Sequence, residues 1–275
     1  MEIDLKKLFF DRKAQIATIL FAVVTVWWLT VQPFAADQSI VEKHTWSSTY
    51  ELLSLLGGIF GLFISRYWGG WKSFLGRSII AFSIGLFLQS FGQTVYNYYT
   101  LFAHIEAPYP SWGDLGYFGS IPAYIYGVFL LGKVSGLKFS LKSLHNRMLA
   151  FLLPLLMLVA SYFIFLKDYE FDWSQPLTIF LDFGYPLGQA LYVAIALLVF
   201  FASRQFLGGM MKKPVLLLLF ALVWQYFCDF NFLYQANHGT WYAGGVGDYM
   251  YAASYYIMTL ALIYLGMRFH QINES

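Results

Sequence analysis

One cysteine in 275 residues leaves nothing for a disulfide framework or a redox thiol pair, and that one, Cys228, sits inside an apolar run. Charge is scarce too: 12% of residues are Asp, Glu, Lys or Arg, against 59% hydrophobic. Soluble domains carry about twice that share of charge, so a water-exposed globule is excluded. The chain holds no H-E-x-x-H, no G-x-S-x-G and no phosphate-cradling glycine loop, so no enzyme class is indicated and none is expected. No lysine lies in the middle of the last two apolar runs, which argues against retinal held as in microbial rhodopsins. No cofactor is implied. A net charge of +2 gives no reason to invoke nucleic acid.

What is present is apolar length. Mean hydropathy is +0.58, and runs near span length fall at roughly 15–34, 49–68, 78–102, 116–134, 148–166, 177–203, 215–236 and 251–270. They are continuous rather than alternating. An all-α polytopic membrane protein of eight spans is therefore expected, and a β-barrel is not. One transmembrane domain covers the chain. The flank "MEIDLKKLFFDRK" mixes acids with bases, and cleavage at "PFAA" would put bulky Phe34 at the minus-three position. The first run is expected to be a retained span, not a signal peptide.

Basic residues set the orientation. Fifteen of the seventeen Lys and Arg fall at the N-terminus, after spans 2, 4 and 6, or at the C-terminus, leaving Lys43 and Lys167 on the other side. The positive-inside rule then places both termini in the cytoplasm, with a bacterial inner membrane as the expected location. Acids run the other way. Glu2, Asp4, Asp11 and Glu274 lie inside, and the remaining eleven lie in outer loops or the outer parts of spans. His44, His104 and His238 are also outside, as weak candidates for a surface metal without any ligand-spacing motif. Polar chemistry is concentrated on the outer face.

Shifted by 134 residues, the chain partly matches itself. "VYNYYTLFAH" lies over "DFNFLYQANH", pairing Asn97 with Asn231, and "GDLGY" lies over "GDYMY", pairing Asp114 with Asp248. Asparagine precedes aspartate by 17 residues in both. Halves of about 1–134 and 135–275, four spans each, would insert the same way and be related by an axis along the membrane normal. "DFGYP" repeats the D-x-x-Y unit a third time, as Asp182 and Tyr185.

Asp114 and Asp248 follow glycine at expected helix starts, where a carboxylate caps orphan N–H groups and the tyrosine one turn later is expected at the interface with its hydroxyl towards water. Three helical stripes are harder to assign to structure alone. They are Gln89, Gln93, Tyr96 and Thr100 in span 3, Asp182, Tyr185, Gln189 and Tyr192 in span 6, and Gln225, Cys228, Asp229 and Gln235 in span 7. Asp229 sits about 10 Å below the outer end of its span. An ionisable group at that depth points either to a lined cavity or to an interhelical lock with Asn97 and Asn231 as partners. Asp182 and Asp229 are expected to face an outer cavity, with Asp114 and Asp248 chiefly as caps.

The segment "APYPSWGDLGYFGSIPAYIYGVFLL" resembles the P-[FY]-P-S-x-x-D-x-x-Y region of membrane sensor modules that precede diguanylate cyclase (GGDEF) domains in bacteria. "LDFGYPLGQALYVAIALLVF" and "HGTWYAGGVGDYMYAASYYIMTLA" are similar to their later motifs, in order, over roughly 78–266. Gln189 stands where those modules carry a second aspartate, and no output domain is expected. The resemblance implies a multispan sensory module without its enzyme.

A non-enzymatic receptor is thus the leading expectation. Its outer-half pocket, lined or braced by Asn97, Asp114, Asp182, Tyr185, Gln189, Asp229, Asn231 and Asp248, would take a small-ligand, lipid or proton signal and pass it to a separate protein partner. Membrane lipids are the other expected partner. Rival readings are an accessory subunit of a bioenergetic or pigment-binding complex, for which an aromatic content of 21% is suited, and a small-solute transporter.

Overall fold

In the computed structural model, which describes residues 5–31, 40–135, 144–206 and 211–273, helices and the turns joining them make up the chain, and no strand occurs among those residues. Eight of the helices are long and apolar enough to cross a membrane. They are α1 (Arg12–Val31), α2 (Glu51–Tyr67), α3 (Phe74–Asn97), α4 (Trp112–Val134), α5 (Leu144–Ser161), α6 (Pro176–Phe206), α7 (Lys212–Asn237) and α8 (Val246–Asn273). Short helices Leu5–Leu8 and Ile40–Ser47 precede α1 and α2. Lys138, Lys142, Glu2, Asp4 and Glu274, which entered the charge argument, lie outside the described residues.

Several helices begin earlier than hydropathy alone predicts, because polar caps carry them past the apolar run. Ser73 accepts from the Gly76 N–H at 2.8 Å, so α3 starts at Phe74. Ser111 and Asp114 start α4 at Trp112 with a capping box: the Ser111 hydroxyl accepts from Gly113, and the Asp114 carboxylate accepts from the Ser111 N–H at 2.7 Å. Asp114 is therefore the third residue of its helix and bonds backwards, rather than standing at the cap position itself. Asp248 does the same in α8, accepting from the Gly244 N–H at 2.7 Å. At the other end, α2 stops where Gly69 takes a left-handed turn (φ 84°), which residues with a Cβ rarely adopt.

Packing closes a ring. α2, α3, α4, α6, α7 and α8 each touch the next, and α8 touches α2; α1 packs on α8 and α5 on α6, outside the ring. The tightest crossing joins α3 to α4, where a Cβ at Gly116 would meet the backbone of Leu88 and Gly92. Small residues at such a crossing let two helices approach to backbone contact, the main attraction available when lipid is as apolar as the side chains. Tryptophans tie neighbouring helices together: the indole N–H groups of Trp46, Trp68 and Trp224 donate to the carbonyls of Val24, Leu265 and Met250.

Candidate functional site

Inside the ring, glutamine, serine, tyrosine and one carboxylate hydrogen-bond across helices. Asp229 on α7 is 7% exposed. Its Oδ2 accepts from Tyr192 of α6 at 2.7 Å, and its Oδ1 accepts from Tyr251 of α8 at 2.9 Å and from the Gln225 amide, one turn earlier on α7, at 3.1 Å. Gln225 in turn accepts from Ser254 of α8 at 2.8 Å. Across the ring, Gln89 of α3 accepts from Tyr255 of α8 at 3.0 Å and donates to Ser120 of α4 at 2.8 Å. Gln93 accepts from Tyr117 at 2.8 Å and from Tyr50 at 3.2 Å. Five helices, and Tyr50 at the start of α2, are stitched by buried and half-buried side chains, where an unmade bond is costly.

The tyrosine of each D-x-x-Y unit points inward, which corrects the expectation that it faces water. Tyr117 reaches Gln93 on α3, Tyr251 reaches Asp229 on α7, and Tyr185 reaches the Asp114 carboxylate on α4 at 2.7 Å. Each hydroxyl has a strong acceptor on a neighbouring helix, so the ring turns into the bundle. Asp114 thus has two duties, closing its own first turn and holding α6. Replacing it by Asn keeps an acceptor for the Ser111 N–H and a donor for Tyr185, and should change stability by less than about 0.5 kcal/mol. Asp114→Leu orphans both partners and should cost about 1–2 kcal/mol. Thermal unfolding of the two variants in detergent checks this; equal losses would remove the link to α6.

Asp182 lies at the end of the bundle that carries the α3–α4 and α5–α6 connections. Its two oxygens accept from Tyr109, in the α3–α4 connection, at 2.6 Å and from Tyr169, in the α5–α6 connection, at 2.8 Å. Asp182 and Asp229 therefore both accept from a pair of tyrosine hydroxyls. Desolvation and donation to Asp182 push the Tyr169 hydroxyl up to about 12 and the Tyr109 hydroxyl higher still, so both stay donors at neutral pH.

Neither asparagine partners Asp229. Asn97 accepts from Gln93 on its own helix at 3.3 Å, and the Asn231 amide lies against the position of Gly247 at the start of α8. Asp248 is buried, bonded back to Gly244. Gln189 is buried on α6 and makes no side-chain bond to any described residue. The histidines stay apart: His44 lies near the Tyr96 ring, His104 is exposed, and His238 bonds the Tyr234 carbonyl at 2.8 Å. No group of three His, Cys, Asp or Glu that could hold a metal assembles among the described residues.

No protein-family model, curated protein or solved structure matches the chain. Function has to be read from the residues themselves. Sequence reasoning singled out Asp229, Gln225 and Gln89 but not their partners: Tyr251 for Asp229, Ser254 for Gln225, and Tyr255 and Ser120 for Gln89. The one available signal was position: Ser120 and Ser254 stand six residues after Asp114 and Asp248, at matching places in the two halves.

Proposed function

We propose that the chain is a multi-pass inner-membrane protein with both termini in the cytoplasm, acting as a non-enzymatic, receptor-like sensor. The observation that carries this reading is the run of carboxylate–tyrosine bonds from the outer rim into the ring: Asp182 to Tyr109 and Tyr169, Asp114 to Tyr185, and Asp229 to Tyr192 and Tyr251. All but the Tyr169–Asp182 bond join different helices or a helix to a distant connection. Each also weakens if its carboxylate gains a proton or is taken by a ligand donor, so an outer event can loosen α6 from α4 and α7 and be passed on to a separate partner. The partial likeness to sensor regions that precede cyclases supports the same class.

Contacts within the ring support a duplicated architecture, while outside the ring α1 packs on α8 and its counterpart α5 packs on α6 rather than on α4. Moving each ring helix four places along the chain carries the contact α2·α3 onto α6·α7, α3·α4 onto α7·α8, and α4·α6 onto α8·α2. That is the pattern expected of two halves related by an axis along the membrane normal.

Infrared difference spectra of the reconstituted protein test the sensor reading. Acidification should produce protonated-carboxyl bands together with tyrosine band shifts, and the component belonging to Asp229 and its tyrosines should be lost in Asp229→Asn while those of the other carboxylates remain. An unchanged spectrum across the pH range in which the protein stays folded would overturn the proton form of the proposal. Orientation is checked by Ala103→Cys on a Cys228→Ser background. Ala103 is exposed beyond α3, unlike Ser111, which caps α4. It should react with an impermeant thiol reagent applied outside, and labelling only after permeabilisation would reverse the topology.

A structural subunit is the second reading. α5 leaves Phe151 and Leu156 exposed, and Phe163 is exposed just beyond its end, a face that suits a neighbouring protein as well as lipid. Recovery with one protein in fixed stoichiometry from mild detergent would favour it.

A further inference from the structure

A groove of ≈ 590 Å³ runs along the α2–α3 hairpin, with Leu62, Phe63, Ile80 and Phe87 among its walls and Arg66, Gly70 and Trp71 at the end where the chain turns. Its volume is in the range of small-molecule sites. The walls are apolar and belong to membrane-length helices, so a bound molecule must present hydrocarbon to them. At the turn its chemistry changes. The Arg66 guanidinium lies over the Phe63 ring, 5.5 Å from its centroid, and Trp71 is 68% exposed beside it. A cation and an indole at the mouth of a hydrocarbon slot match the phosphate and interfacial level of a lipid.

Charge narrows the class further. Lys72, Arg77 and Lys133 belong to the same end of the bundle as Arg66. Among the described residues, Asp11 is the one carboxylate there, and it is used in capping α1 through the N–H groups of Lys13 and Ala14. Arg66, Arg77 and Lys133 rest instead on phenylalanine rings. Among the described residues, no acid lies beside Arg66, Arg77 or Lys133, so these three offer positive charge at the turn.

We propose that the α2–α3 groove binds one anionic phospholipid, an acyl chain along Leu62, Phe63, Ile80 and Phe87 and the phosphate on Arg66; the proposal rests on the membrane reading above. The groove of ≈ 490 Å³ between α1 and α2, lined by residues such as Ile16, Val23 and Leu55, has no charged lining residue. It should take hydrocarbon without regard to headgroup and serves as an internal control.

The test uses the full chain, delipidated in detergent and given equal amounts of phosphatidylglycerol and phosphatidylcholine, with retained lipid counted by native mass spectrometry. The wild type should keep one phosphatidylglycerol in preference to phosphatidylcholine, and Arg66→Gln should reduce that preference about fivefold. Leu62→Trp, at a partly exposed wall position, should expel the lipid, while Leu55→Trp in the control groove should leave the preference unchanged. Equal retention of both lipids by the wild type, an unchanged preference in Arg66→Gln, or a protein subunit in place of lipid would overturn the proposal. Release of the chain from membranes by alkaline carbonate would instead overturn the membrane reading; firm membrane retention without headgroup preference sinks the lipid site alone.

Discussion

Asp229→Leu is expected to destabilise the protein by about 3 kcal/mol, and Asp229→Asn by less than about 1 kcal/mol. Leucine removes the acceptor of three buried donors, the hydroxyls of Tyr192 and Tyr251 and the Gln225 amide. An orphaned buried donor costs about 1–3 kcal/mol, and the lower end applies between membrane-length helices, where unfolded segments also find partners. Asparagine avoids this loss. Its Oδ1 can keep Gln225 and Tyr251, while its amide N–H groups face the Tyr192 hydroxyl, which can accept as readily as it donates. It also removes a formal charge from a site where charge is expensive. Detergent-denaturation midpoints of the two variants decide the matter. Equal losses would mean that the carboxylate is not held as the geometry describes. A small loss for Asn also makes that variant the suitable probe of signalling, since the fold survives while the proton-binding group is gone.

Gly116→Ala should cost about 2–3 kcal/mol, although it adds one methyl group and improves helix propensity. The new Cβ would meet the Leu88 carbonyl and the Gly92 backbone, neither of which can rotate away, so α3 and α4 would have to separate. Gly119, one turn further along α4, is the control. A Cβ there meets only the Leu88 side chain, at 3.6 and 3.8 Å, which is ordinary contact. Gly119→Ala should therefore be neutral or stabilising by up to about 1 kcal/mol. Thermal unfolding of the two variants side by side is the measurement. Gly116→Ala as stable as Gly119→Ala would show that the α3–α4 crossing is not set by backbone contact.

Eight membrane-length helices, their order and their approximate ends were legible from residues alone, because hydropathy over a twenty-residue window depends on composition and not on partners. The first-turn positions of Asp114 and Asp248 were legible for a similar reason: capping is settled within four residues of chain. What tertiary structure alone decided is which face of each helix looks inward. Lipid and protein interior are both apolar, so α3, α4 and α8 carry almost no amphipathic signal, and the inward stripe cannot be read from periodicity. Tyr117, Tyr185 and Tyr251 show the consequence. Their spacing from aspartate suggests an interfacial belt, but the acceptors that turn them inward lie 22 to 71 residues away, on helices that become neighbours only when the ring closes.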